Sequence, residues 1–110
     1  MSEFLYIYRA GAHSQSPAEM QANMQRWVAW LKELGDKGHV KSPGHPLERT
    51  GKLVSGKDKL VTDGPFAEKD MVGGYSVIEA QDLSQAVELA KGCPIFLAGG
   101  QVEVRSIMKM

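Results

Sequence analysis

The stretch Phe4-Leu5-Tyr6-Ile7-Tyr8 decides the fold. It is rich in aromatic and branched residues, which is the composition of a β-strand. Alternation places Leu5 and Ile7 on one face and Phe4, Tyr6 and Tyr8 on the other, so both faces are apolar and both need cover. The question is what the rest of the chain offers for that purpose.

Downstream, Ser16-Pro17-Ala18-Glu19 is a helix start: Ser16 is the N-cap, Pro17 stands at the first helical position and Glu19 completes a capping box. Met20, Met24, Trp27, Val28, Leu31 and Leu34 then share one side of a helical wheel, with Trp30 at its edge and Gln21, Gln25, Arg26, Lys32 and Glu33 opposite. The spacing predicts a helix ending near Gly35 or Gly38, with Trp27 and the Met20/Met24 stripe in the core.

His39-Val40-Lys41 can begin a second strand, which Ser42-Pro43-Gly44-His45-Pro46 interrupts. Lys52-Leu53-Val54 and Leu60-Val61-Thr62 flank the polar five-residue connection Ser55-Gly56-Lys57-Asp58-Lys59, a hairpin signal. Asp63-Gly64-Pro65-Phe66 is a turn by composition.

Gly73-Gly74 opens the strand Tyr75-Ser76-Val77-Ile78-Glu79. Asp82 caps a short helix carrying Leu83, Ala86, Val87 and Ala90, which Gly92 and Pro94 end. Pro94 to Gly100 reads as a loop, and Val102 to Ile107 as the last strand.

With the hairpin set aside, the order is βαββαβ, the ferredoxin-like plait of the α+β class, formed as a single domain over residues 1–110. Two helices cover one face of such a sheet. The open face is expected to carry the aromatics of the first strand, with Glu103 and Arg105 from the last, and a second copy of the chain is the simplest cover for it. A homodimer is therefore expected.

Composition narrows the function classes. The 110 residues hold 13 Lys plus Arg and 13 Asp plus Glu. A neutral chain lacks the cation surplus of direct nucleic-acid binding or of a basic membrane-surface helix. No apolar run is long enough to span a bilayer, the first residues do not read as a signal peptide, and the single Cys93 cannot form an internal disulfide. The expectation is a cytoplasmic protein.

At Val61-Thr62-Asp63-Gly64-Pro65-Phe66-Ala67-Glu68 the sequence resembles the YCII-related family, in its DGPF-domain branch. Phe4 to Tyr8, Gly73-Gly74-Tyr75 and Val102-Glu103-Val104-Arg105 extend the likeness over nearly the whole chain. The resemblance implies a dimeric α+β barrel of ferredoxin-like subunits. It also implies an enzyme with a polar site around a His–Asp pair, although the His and Asp here do not match that pair position by position. Relatives include a dehalogenase of chlorinated lactones, and some DGPF proteins are linked to sigma factors.

Two residues are catalytic candidates. Asp63 stands where the chain turns; buried beneath Phe66 it would hold its proton more tightly and serve as a general acid or base, and otherwise it caps the turn. His45, in the rigid Gly44-His45-Pro46 loop, suits proton transfer near neutral pH if the hairpin brings it to Asp63, and otherwise is a surface histidine.

Glu68 either pairs with Asp63 or is a solvated acid. Arg49 and Arg105 are anion clamps, or, for Arg105, an ion-pair partner of Glu103 or Glu79. Tyr6, Tyr8 and Tyr75, with Phe66, either line a substrate pocket or pack an interface. His13, His39, His45 and Cys93 lack metal-ligand spacing, and no glycine pattern matches a phosphate loop, so neither metal nor cofactor is expected.

These features predict a small cofactor-free enzyme doing acid/base chemistry on a small polar or aromatic metabolite of lactone or enol type, in a pocket near the DGPF turn and the dimer face. The alternative is a non-catalytic ligand-binding or regulatory dimer linked to transcription.

Overall fold

The computed structural model describes residues 1–9, 16–48, 50–63 and 71–110. Four strands, β1 (Ser2–Arg9), β2 (Val40–Ser42), β5 (Val72–Ala80) and β6 (Gln101–Ser106), form one antiparallel sheet in the order β2-β5-β1-β6. Helices α1 (Pro17–Asp36) and α2 (Leu83–Ala90) are the crossovers of a βαββαβ plait. Strands β3 (Lys52–Ser55) and β4 (Leu60–Asp63) form a separate two-stranded sheet. Ser55 pairs with Leu60, so the hairpin connection is four residues long and not five.

Both helix starts follow from their caps. The Ser16 side chain accepts from the Glu19 N–H at 3.2 Å, and that of Asp82 from the Gln85 N–H at 2.8 Å. The stretch after α2 is not a plain loop: Pro94–Ala98 is a short 3-10 helix.

Two expectations about facing are corrected. The aromatics of β1 lie beneath the helices and not on the open face: Phe4, Tyr6 and Tyr8 are buried. Tyrosine can be buried there because each hydroxyl finds an acceptor. Tyr6 donates to the Ala86 carbonyl and Tyr8 donates to Ser76 Oγ at 2.8 Å. By the strand register the open face carries Leu5, Ile7, Tyr75 and Val77, with Arg9, Glu103 and Arg105 beside them.

The second correction concerns α1, which is rolled toward Trp30. Trp30 and Leu34 are buried, with Trp27 and Leu31 partly so, while Met20, Met24 and Val28 are exposed. The reason is the larger area of two indoles and the rings beneath them. Trp30 stacks on Tyr6 at 6.2 Å and 14°, and Trp27 stands edge-on to Tyr8 at 4.7 Å. On α2, likewise, Ala86 and Ala90 are buried whereas Leu83 and Val87 are exposed.

Candidate functional site

After β2 the chain does not leave the sheet. A register shift follows Val40, and residues 43–47 run on beside the start of β5. The His45 carbonyl accepts from the Tyr75 N–H at 3.4 Å, Pro46 bridges Gly74, and the Leu47 N–H donates to the Gly73 carbonyl at 2.8 Å. Ser76, wholly buried, donates its hydroxyl proton to the Pro43 carbonyl at 2.7 Å.

Gly44 makes this path possible. Its φ is +70°, and a Cβ there would stand 1.8 Å from the Tyr75 carbonyl oxygen. Only glycine fits so close to a neighbouring backbone. The segment thus holds His45 by main-chain contacts on both sides of it.

A cavity of about 330 Å³ opens at this end of the sheet, on the helix side. Tyr8 and Ser76 from the sheet and Trp27 and Leu31 from α1 form its inner wall. Pro43, His45 and Pro46, with Gly73, Gly74 and Tyr75, form one lip; Met24 and the 3-10 helix, through Ile95 and Ala98, form the other. The wall is mainly apolar, and its two inner hydroxyls already bond each other, Tyr8 to Ser76 and Ser76 to Pro43. Burial raises the Tyr8 phenol well above its ordinary pKa, against the Ser76 hydrogen bond, which lowers it, so Tyr8 stays a neutral donor.

His45 is exposed at the lip, its ring 6.1 Å from that of Tyr75 at 67°. Among the described residues no hydrogen bond engages its imidazole, which is therefore available to a ligand and to water. His39 differs: its Nδ1 lies 2.8 Å from the Glu79 carbonyl, a structural contact.

The other sequence-predicted residues separate from this site. Asp63 ends β4 on the hairpin, with most of its side chain in water, and pairs with Lys52 at 3.3 Å. It is not among the residues that line the cavity, and Phe66, under which it could be buried, lies outside the described residues. Arg105 also lies away from the cavity, paired at 3.2 Å with Glu103 on the open sheet face, where Arg9 Nε donates to Glu103 at 3.0 Å. The two guanidiniums hold the Glu103 carboxyl below the usual carboxylate range, Arg105 more than Arg9.

Tyr6 is buried beyond the cavity, against α2. Tyr8 and Tyr75 are among the residues lining the cavity, which lies on the helix side of the sheet and not at the open face. Arg49, Phe66 and Glu68, with the rest of the DGPF turn after Asp63, lie outside the described residues.

Sequence reasoning missed Trp27 and Met24 as cavity residues, because an apolar stripe does not say which of its members reaches the core. It also missed Ser76, although a serine within an apolar strand was a signal: buried, it must find a partner. Among the described residues no three His, Cys, Asp or Glu side chains gather as metal ligands, and no helix is long and apolar enough to cross a membrane.

A four-stranded antiparallel plait with two helices on one face and an apolar cavity at one end defines a small ferredoxin-like α+β protein. The YCII-related domain family matches residues 1–110, and the chain belongs to that family. Among solved structures it is similar to 5-chloro-2-hydroxyhydroquinone dehydrochlorinase (TftG) from Burkholderia phenoliruptrix AC1100, in complex with 2,5-dihydroxybenzoquinone. The identity is 20%, the TM-score 0.50, and the match covers 97% of this chain and 95% of that one. At that identity the likeness speaks for the fold. No curated protein matches the sequence.

Proposed function

We propose that the protein is a cofactor-free enzyme that binds a small, flat, largely apolar molecule in this cavity, and that the His45 imidazole moves a proton on it. The observation that carries the reading is His45 itself, a titratable group at the lip of an apolar cavity whose ring takes no hydrogen bond from the described residues. About 330 Å³ lies at the small end of ligand sites and suits a single ring. Trp27 and Tyr8 offer such a ring an aromatic wall. A lactone, an enol or a hydroxylated quinone of the kind TftG is seen to bind has an acidic position that an imidazole can serve near neutral pH.

The same reading takes the protein as a homodimer, joined through the open sheet face where Leu5, Ile7 and Val77 form an apolar centre among charged residues.

One observation favours a second reading. The inner hydroxyls of the cavity are already engaged with each other, so a ligand can be held there without chemistry, as in a binding or regulatory module.

The test is a fluorescence titration on Trp27 and Trp30 with lactones, hydroxyquinones and aromatic acids, followed by a turnover assay of every compound that binds. His45→Gln is expected to retain binding and lose turnover by about 10²- to 10⁴-fold. Asp63→Asn is expected to leave both within about twofold, because an exposed ion pair contributes little. Undiminished turnover by His45→Gln overturns the enzyme reading as stated; tight binding with no turnover in the wild type establishes the binding module instead.

A further inference from the structure

Two hydrogen bonds on the inner wall of the cavity have directions that chemistry fixes. A carbonyl oxygen has no proton to give, so the 2.7 Å bond between Ser76 and Pro43 uses the one hydroxyl proton of Ser76. The 2.8 Å bond between Tyr8 and Ser76 must then use the proton of Tyr8. Both protons are spent in a chain that ends on the Pro43 main chain.

The pair does not turn out of this arrangement cheaply. Ser76 is wholly buried and Tyr8 is 6% exposed. Rotating either hydroxyl leaves a buried polar group without its partner, and that costs more than the bond itself contributes. Tyr8 also keeps its proton, because burial raises its phenol well above the ordinary value.

What the pair has left is lone pairs. The Ser76 oxygen has donated once and accepted once, so one acceptor position remains. Among the described residues nothing donates to the Tyr8 oxygen, and giving its own proton to Ser76 makes that oxygen a better acceptor. Charge points the same way. The described residues lining the cavity include no Lys or Arg, and His45 stands exposed at the lip. An anion pressed against the inner wall would leave water and meet only acceptors there.

We propose that the inner wall is an acceptor subsite for a neutral hydroxylated ring, a phenol or an enol, whose hydroxyl donates to the Tyr8 oxygen while the position that His45 serves lies at the lip. The inference rests on the reading of the cavity as a ligand site and gives that site a polarity. A ring whose head group only accepts, or is ionised, is refused, because it leaves the wall unpaired and is itself desolvated.

The test is calorimetric titration near neutral pH with three rings that differ in one head group: p-cresol, which donates; p-tolunitrile, which only accepts; and p-toluate, the anion. The wild type is expected to bind p-cresol at least about tenfold more tightly than either of the others. Ser76→Ala removes the group that takes the Tyr8 proton and frees that proton for the ligand, so its preference is expected to turn toward p-tolunitrile. Tyr8→Phe removes the accepting oxygen and is expected to bring p-cresol and p-tolunitrile to within about threefold of each other. The wild-type series decides the polarity without either variant. Binding of p-tolunitrile or p-toluate by the wild type as tightly as p-cresol overturns the acceptor subsite and leaves the cavity a ligand site. An undiminished preference for p-cresol in both variants also overturns it, because another group then makes the selection. Binding of none of the three overturns the subsite and the ligand-site reading together. The proton-transfer role of His45 is judged apart from all of these, by turnover in His45→Gln.

Discussion

Two segments of the chain run between β2 and β5, and they behave in opposite ways. Residues 43–47 lie along β5, joined to it by main-chain hydrogen bonds and by a glycine with no room for a side chain. Among the described residues, 52–63 pair with one another as a separate two-stranded sheet, and every strand residue is exposed. Both segments have the turn residues and polar punctuation of loops. One holds a histidine in place at a cavity, and the other holds an aspartate at a surface ion pair. Whether a side chain is held at the cavity depends less on the residue's local turn than on whether the backbone around it is fastened to the core.

The largest test of that contrast is alkaline pH. The core to which the first segment is fastened contains three buried weak acids. Burial raises Tyr6 and Tyr8 well above the ordinary phenol value and pushes the Cys93 thiol up to about 12. In the unfolded chain the thiol ionises near ~8.5 and the phenols near ~10. The folded state therefore holds its protons longer than the unfolded state does. Stability from these groups is complete below about pH 8.5 and falls as pH rises toward 12 and beyond. Urea midpoints between pH 8 and 11 are expected to drop steadily, with Tyr8→Phe flattening the slope. A constant midpoint across that range removes the buried acids from the account. The hairpin, residues 52–63, contains neither tyrosine nor cysteine and does not contribute to this titration.

A pair of glycines sharpens the comparison at smaller scale. Gly44 and Gly56 have nearly the same backbone, with φ of +70° and +74°. A methyl group at Gly44 would meet the Tyr75 carbonyl at 1.8 Å, whereas at Gly56 nothing lies within 4 Å. Gly44→Ala is expected to cost about 3 kcal/mol, because it adds a backbone clash to the left-handed strain. Gly56→Ala is expected to cost about 1 kcal/mol at most, the strain alone. Equal losses in urea unfolding would mean that segment 43–47 is no better fastened than the hairpin.

The plait was legible because it rests on local signals. The β1 alternation, the Ser16 and Asp82 caps and the hairpin all stand where the residues put them. Facing was less legible. Tyr6 and Tyr8 went beneath the helices because acceptors waited there, and those acceptors, Ala86 and Ser76, lie 80 and 68 residues away. A pattern of apolar and polar residues records no such partner. His45 was singled out and lines the cavity, whereas Asp63 stands on the hairpin and pairs with Lys52. Eighteen residues of separation said nothing about the hairpin placing Asp63 on its own two-stranded sheet. Trp27 and Met24 were read together as core, yet one lies at the cavity wall and the other at its rim, because the roll of α1 is set by the ring stack under Trp30.

The smallest effect belongs to the open end of the hairpin. Lys52 and Asp63 face each other across the hairpin at 3.3 Å with most of both side chains in water. Such a pair gains little from Coulomb attraction in high dielectric and loses side-chain freedom in forming. Lys52→Ala and Asp63→Asn should each change stability by less than about 0.5 kcal/mol, and the double variant should match the sum. What difference there is should vanish near 1 M NaCl, where the Debye length shrinks to about 3 Å. A salt-independent loss well above that size from Asp63→Asn, with Lys52→Ala silent, would show that the carboxylate has a second and stronger partner. The two segments between β2 and β5 would then differ less than their exposed and buried faces imply.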